Sequence, residues 1–269
     1  QGRLLYEGIW DNKPPLLYII YALFNGEQFW VRLASLLIML MTIGSFYVLA
    51  LRLFAKLWIV YIVTALFAFL FATPLLEGNI ANAENFMLLP IILAMVIVMK
   101  FLEKNNYYSS YLFAGLLLGL AFLIKIVAIF DLGAVLVLLL VIYFRKNWQK
   151  LLATNLSLGV GFAIPITLTI LYFFLSGALS DFITASFSQN VTYVGAGNTL
   201  LIGQGLLLLK LFLLSLFCLF IFLQRKNLAK EYMFIYLWFA FSIFNAFFGG
   251  RPWIHYLLTL LPAFCLFVG

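Results

Sequence analysis

Three short polar segments and one lysine hold most of the side chains able to do chemistry. The first is Tyr6-Glu7-Gly8-Ile9-Trp10-Asp11-Asn12-Lys13-Pro14-Pro15-Leu16, with two carboxylates and an ammonium just ahead of an apolar stretch. Paired prolines stiffen such a turn and fit the first turn of a helix. Lys13 would then stand beside a helix N-terminus, where backbone N–H groups also point outward, and the two together suit a phosphate. The second segment, Glu77-Gly78-Asn79-Ile80-Ala81-Asn82-Ala83-Glu84-Asn85, sets Glu84 directly before an apolar run. A carboxylate at that depth is costly unless it is paired or functional. The third, Gly249-Gly250-Arg251-Pro252-Trp253-Ile254-His255-Tyr256, contains the only histidine of the chain. Arg251 and His255 could both face an anion there, with Trp253 and Tyr256 at a membrane interface. Lys125 closes the apolar run 115–124 and could reach the same anion.

Each feature also has a plainer reading. Lys13 and Lys125 could rest on lipid headgroups. Glu84 could be a helix N-terminal charge favoured by the dipole. Residues 249–256 could be an interfacial anchor. Arg32 could pair with Glu27 or snorkel. The combination is more informative than any one part. Asp11, Glu84 and Glu7 could accept a proton or bind a divalent metal. Lys13, Lys125, Arg251 and His255 could hold a phosphate.

The elements that must position these groups are membrane helices. The 269 residues are 66% hydrophobic and 9% charged, against roughly half and a quarter in a soluble domain. A bilayer can cover that apolar surface and water cannot. Runs long enough to cross it predict spans at about 29–51, 57–76, 86–102, 108–124, 127–144, 152–175, 204–223, 232–248 and 256–269. Residues 14–26 are apolar but too short, and read as an interfacial or re-entrant helix. Segment 176–203 is the longest connection. Its Tyr193-Val194-Gly195-Ala196-Gly197-Asn198 stretch reads as a flexible lid or a plain connection, and Asn190-Val191-Thr192 as a chance glycosylation sequon. Cys218 and Cys265 lie in apolar runs and read as packing residues. The chain opens without Met and ends in the apolar 266–269, so we expect a fragment lacking at least one helix in front and more behind.

The net charge of +7 does not point to nucleic acid, because no soluble basic domain carries it. Ten of the sixteen basic residues sit at alternate junctions: Arg52 and Lys56; Lys100 and Lys104; Arg145, Lys146 and Lys150; Arg225, Lys226 and Lys230. Positive residues mark the cytoplasmic face. All three polar segments and Lys125 then fall on the opposite face.

Asp11-Asn12-Lys13-Pro14-Pro15-Leu16-Leu17-Tyr18, Val31-Arg32-Leu33, Asn82-Ala83-Glu84, Gly119-Leu120-Ala121-Phe122-Leu123-Ile124-Lys125 and His255-Tyr256-Leu257-Leu258-Thr259-Leu260-Leu261-Pro262 occur in an order that resembles the protein mannosyltransferase and aminoarabinose lipid A transferase superfamily. The bacterial dolichyl-phosphate-mannose-protein mannosyltransferase-like branch is the most similar. The resemblance implies an all-α polytopic transmembrane bundle of the GT-C type in the cell (inner) membrane, with outer-face loops. It implies an inverting enzyme that takes sugar from a polyprenyl-phosphate donor and passes it to a lipid, glycan or protein acceptor. It transfers the carrier-phosphate role to Lys13, an acidic role to Asp11 and Glu84, and a phosphate or metal role to His255. Many members carry an Asp where Gly8 stands here, so the principal catalytic carboxylate is expected upstream of Gln1. The rival classes are a transporter or lipid flippase, and a membrane scaffold. Transporters place charges near the midplane of repeated halves, whereas these charges gather at one boundary and no repeat is visible.

Overall fold

A computed structural model describes residues 4–6, 11–102, 104, 107–200, 203–251 and 253–269. It is an antiparallel helical bundle, with no strand among the described residues. The helices are α1 (Pro15–Ala22), α2 (Gln28–Leu53), α3 (Leu57–Ala72), α4 (Ala83–Phe101), α5 (Tyr108–Ile124), α6 (Ile129–Tyr143), α7 (Trp148–Leu175), α8 (Leu179–Ile183), α9 (Gln189–Gly197), α10 (Gly205–Gln224), α11 (Lys230–Phe247) and α12 (Leu257–Phe267). Five stretches are long and apolar enough to cross a membrane: α2, α4, Ile126–Tyr143, α7 and α10. Leu57–Ala72, Tyr108–Ile124 and Ile254–Phe267 are shorter apolar helices. The remaining expected span is α11, 18 residues long with Lys230 and Glu231 in its first turn. The chain is therefore a multi-pass membrane protein.

The core is a row of helices, α2–α4–α5–α7, joined to a second group of α6, α11 and α12. Glycine sets the spacing in the row. A Cβ on Gly115 would stand 2.0 Å from the Leu158 carbonyl oxygen, and one on Gly161 would stand 1.9 Å from that of Leu112. Only bare backbones can approach this closely, which is how helices associate where lipid supplies no hydrophobic drive. The second group meets the first through α6 against α7 and α5, and through α12 against α4 and α3, and the stacked rings of Phe239 and Phe267 join α11 to α12 within it. Helix α10 stands at the edge with almost none of its surface buried, and its Leu and Phe side chains face out from the bundle.

The basic junctions share one end of the bundle. The Tyr143 hydroxyl donates to the Leu102 carbonyl oxygen, and the Lys150 ammonium lies 4.8 Å from the Tyr143 ring centre. The Phe144 and Phe222 rings meet at 5.2 Å, with the Arg225 guanidinium 4.0 Å over Phe222. Because the helices alternate in direction, the polar segments fall at the other end.

The connection 176–203 is not a long loop. It forms α8, a π-helical turn over Thr184–Ser188 and then α9. The Tyr193–Gly197 stretch is helical, and Gly197 serves close packing. A Cβ on Gly197 would lie 2.1 Å from the Gly249 carbonyl oxygen. Asn198 is fully buried and donates to the carbonyls of Val194 and Phe248 at 2.8 and 2.9 Å. The Lys210 ammonium of α10 completes the joint, donating to Asn198 Oδ1 at 2.7 Å and to the Phe247 carbonyl at 2.6 Å. Cations are favoured at the C-terminal ends of helices, and two such ends, of α9 and α11, meet here.

Candidate functional site

A cavity of about 360 Å³ opens at the end of the bundle away from the basic junctions. Lys13, Glu84, Lys125 and His255 all line it, from four separate stretches of chain.

Lys13 is delivered by the start of α1. Pro14 takes the N-cap position in extended conformation and Pro15 the first helical one, as paired prolines dictate. The preceding loop is pinned on both sides. Tyr6 donates its hydroxyl to the Lys13 carbonyl at 2.7 Å and receives one from Ser186 at 3.1 Å. Burial pushes the Tyr6 phenol up to about 12, so it stays a neutral donor. The Asn190 amide nitrogen donates to the carbonyls of Asn12 and Ser186, at 2.7 and 2.8 Å. That nitrogen is engaged in structure, which fits the chance reading of the sequon. The Lys13 ammonium lies 3.2 Å from Asp11. Burial opposes the charge on Asp11. The neighbouring Tyr18 hydroxyl, the Lys13 ammonium and the Asn12 amide outweigh it and hold the carboxyl below its ordinary value.

Glu84 enters from the first turn of α4 and is only 2% exposed. It forms an ion pair with Lys125, at the C-terminal end of α5. The Lys125 ammonium also sits 4.2 Å from the Tyr256 ring centre, within cation–π range. His255 lies between two carboxylates: Nδ1 is 2.9 Å from Glu77 Oε2, and Nε2 is 4.0 Å from Glu84 Oε1. Glu77 reaches it from a left-handed backbone conformation (φ 59°), which a non-glycine residue adopts at some cost. The next residue must be glycine, because a Cβ on Gly78 would stand 1.8 Å from the Phe71 carbonyl oxygen. Asn85 fixes that turn by donating to the Gly78 carbonyl at 2.6 Å.

Residues 13–173 match the family of dolichyl-phosphate-mannose-protein mannosyltransferases. The chain belongs to that family. It is a membrane glycosyltransferase of the GT-C type. No curated protein and no solved structure matches it. The family match takes in Lys13, Glu84 and Lys125. His255 and Arg251 lie beyond it, and geometry alone brings His255 to the cavity of the family member described here.

Of the residues singled out from the sequence, the transferase gathers Lys13, Glu84, Lys125 and His255 around one space, with Asp11 at its edge through Lys13. Arg251 stands apart from the lining. Its exposed guanidinium lies 5.0 Å from the Tyr193 ring centre, and Tyr193 is held by Trp253 Nε1 at 3.0 Å. Glu7 falls outside the described residues. Arg32 is exposed and forms no ion pair with Glu27 among the described residues. Among the described residues no group of three His, Cys, Asp or Glu side chains could hold a metal ion. The carboxylate most deeply placed, Glu84, is already committed to Lys125, so these residues do not fit a divalent cation.

Sequence reasoning passed over Glu77, Asn190 and Asn245 as site residues. Glu77 was visible only as one acid in a polar segment. Asn245 had a signal of its own, as a polar residue inside an apolar helix.

Proposed function

We propose that this glycosyltransferase takes sugar from a polyprenyl-phosphate donor and passes it to a lipid, glycan or protein acceptor on the extracytoplasmic side of a cell (inner) membrane. The observation that carries the reading is the convergence of Lys13, Lys125, Glu84 and His255 on one cavity opposite the basic junctions. The positive-inside rule puts those junctions in the cytoplasm and the cavity outside. The family is described by a dolichyl-phosphate-mannose donor, a sugar on a polyprenyl phosphate.

A second cavity supports the choice of carrier. It measures about 330 Å³, lies between α1, α5 and α7, and is lined by Pro15, Leu16, Ile19, Leu123, Leu168 and Phe173 among others. It begins next to Pro14 and two residues from Lys125. A donor with its phosphate between Lys13 and Lys125 would lay its prenyl tail along this apolar groove.

In the reaction, the acceptor hydroxyl oxygen bonds to the anomeric carbon from the face opposite the phosphate. The bond from that carbon to the phosphate oxygen breaks, and its electron pair leaves with the polyprenyl phosphate, so the centre inverts. The leaving group is already stable, and it needs fixed cations for its growing charge rather than a strong acid. Lys13 and Lys125 supply them, each now neutralised by a carboxylate that shares it. The hydroxyl proton passes to a carboxylate as the new bond forms. Asp11, ionised and partly exposed, suits that step. Glu84 holds Lys125 in place, and His255 with Glu77 closes the wall behind it.

The test is transfer by the full-length protein in liposomes. Polyprenyl-phosphate mannose should label acceptors, and a nucleotide sugar alone should not. Equal labelling from a nucleotide sugar, or movement of the labelled lipid between leaflets without transfer, would refute the reading.

A further inference from the structure

Two carboxamides in the cavity wall each hold a buried polar atom with no partner among the described residues. Asn245, in the last turn of α11, lines the cavity and is 4% exposed. Its backbone carbonyl caps the helix by accepting from Phe248 N at 3.1 Å. Its side chain makes no hydrogen bond to any described residue, and its Oδ1 is buried without a partner. Asn82 lines the same cavity from the N-cap position of α4. An Asn there ordinarily caps the first turn with its side chain. This one does not, and its Nδ2 is buried without a partner.

A buried carboxamide without partners is costly, and native proteins rarely keep one. Asn is also a poor helix former, since its side chain competes for the backbone. Both costs fall on Asn245, near the end of a largely apolar helix. The cost is recovered if a ligand supplies the missing partner. The ionisable groups of the cavity already have partners within the protein, Lys13 with Asp11, Lys125 with Glu84 and His255 with Glu77. What remains is a neutral group that both donates and accepts, which complements a hydroxyl. Tyr256 and Trp253 line the same space and offer faces for a sugar ring.

We propose that Asn245 reads the transferred sugar, its buried carboxamide in the cavity wall taking one ring hydroxyl, with Asn82 serving a second hydroxyl from across the cavity. This rests on the transferase reading above and assigns the part of the donor that the lysines do not hold.

The experiment is a cycle between protein and donor. Full-length wild type and Asn245→Ala are compared on polyprenyl-phosphate mannose and on its 2-, 3-, 4- and 6-deoxy analogues. Asn245→Ala should lower kcat/KM on the parent donor by about tenfold, the size of one hydrogen bond. One deoxy analogue should be about tenfold poorer for wild type and show no added loss with the variant. The other three should lose the same factor in both proteins. Identical penalties in both proteins at all four positions overturn the assignment, as does a fall in the unfolding temperature of donor-free Asn245→Ala, which would make the carboxamide structural. If wild type uses none of the five donors, the transferase reading fails and takes this assignment with it.

Discussion

Lys125→Met is expected to cost the folded protein about 3–5 kcal/mol, the range for removing one partner of a buried ion pair. Glu84 is 2% exposed and Lys125 15% exposed, so the carboxylate has little solvent to offset the loss of the ammonium. The other basic side chain near Glu84 is His255, with Nε2 at 4.0 Å and Nδ1 already on Glu77. Most of the cost is the stranded carboxylate, so Lys125→Met combined with Glu84→Gln should recover most of the lost stability. The repair should not restore transfer, because the leaving phosphate still lacks its cation. Thermal unfolding in detergent of the two single variants and the double, each followed by a transfer assay, checks both parts. A double variant as unstable as Lys125→Met would show that the pair is not what sustains the fold there. A double variant with full transfer would remove Lys125 from the chemistry.

Lys13→Ala should behave in the opposite way. Its ion pair with Asp11 is substantially open to solvent, with side chains 38% and 34% exposed. Such pairs contribute about 0–1 kcal/mol, so the unfolding temperature should barely move. A charge-assisted hydrogen bond to a phosphate is larger, about 1.5–3 kcal/mol, which corresponds to roughly 10–100-fold. Donor kcat/KM should therefore fall by that factor while membrane insertion and folding are kept. The contrast with Lys125 comes from burial alone. Unchanged donor kinetics, or a protein that no longer folds, would contradict the role given to Lys13.

The bundle was largely legible because a bilayer constrains sequence so tightly. Apolar length marks a helix, and clustered Lys and Arg mark one end, so Tyr108–Ile124 was read with its observed limits. The helix ends at the cavity were legible as charges. Lys13, Glu84, Lys125 and His255 are conspicuous in an apolar chain, and the charge bias placed them on one face. Their pairing was not legible. Glu84 and Lys125 are 41 positions apart, and nothing local selects Lys125 over Arg251 as the partner. Segment 176–203 misled because glycine has two uses. At Gly195 and Gly197 it suggests flexibility, yet Gly197 is required where two backbones nearly touch. Asn245 escaped notice because an uncharged polar residue in an apolar run leaves the hydrophobic pattern nearly intact.

The most direct test of the donor cavity is thiol labelling of single cysteines in intact cells and in reconstituted protein, with Cys218 and Cys265 replaced by alanine. Asn12→Cys and Trp253→Cys place probes at the cavity, and Lys146→Cys and Lys226→Cys at the basic end. A membrane-impermeant maleimide added outside should modify positions 12 and 253 and leave 146 and 226 untouched until the membrane is opened. A polyprenyl-phosphate sugar should then slow modification at 12 and 253 alone. Labelling of all four positions from the same side, or rates at 12 and 253 that ignore the donor, would contradict the account.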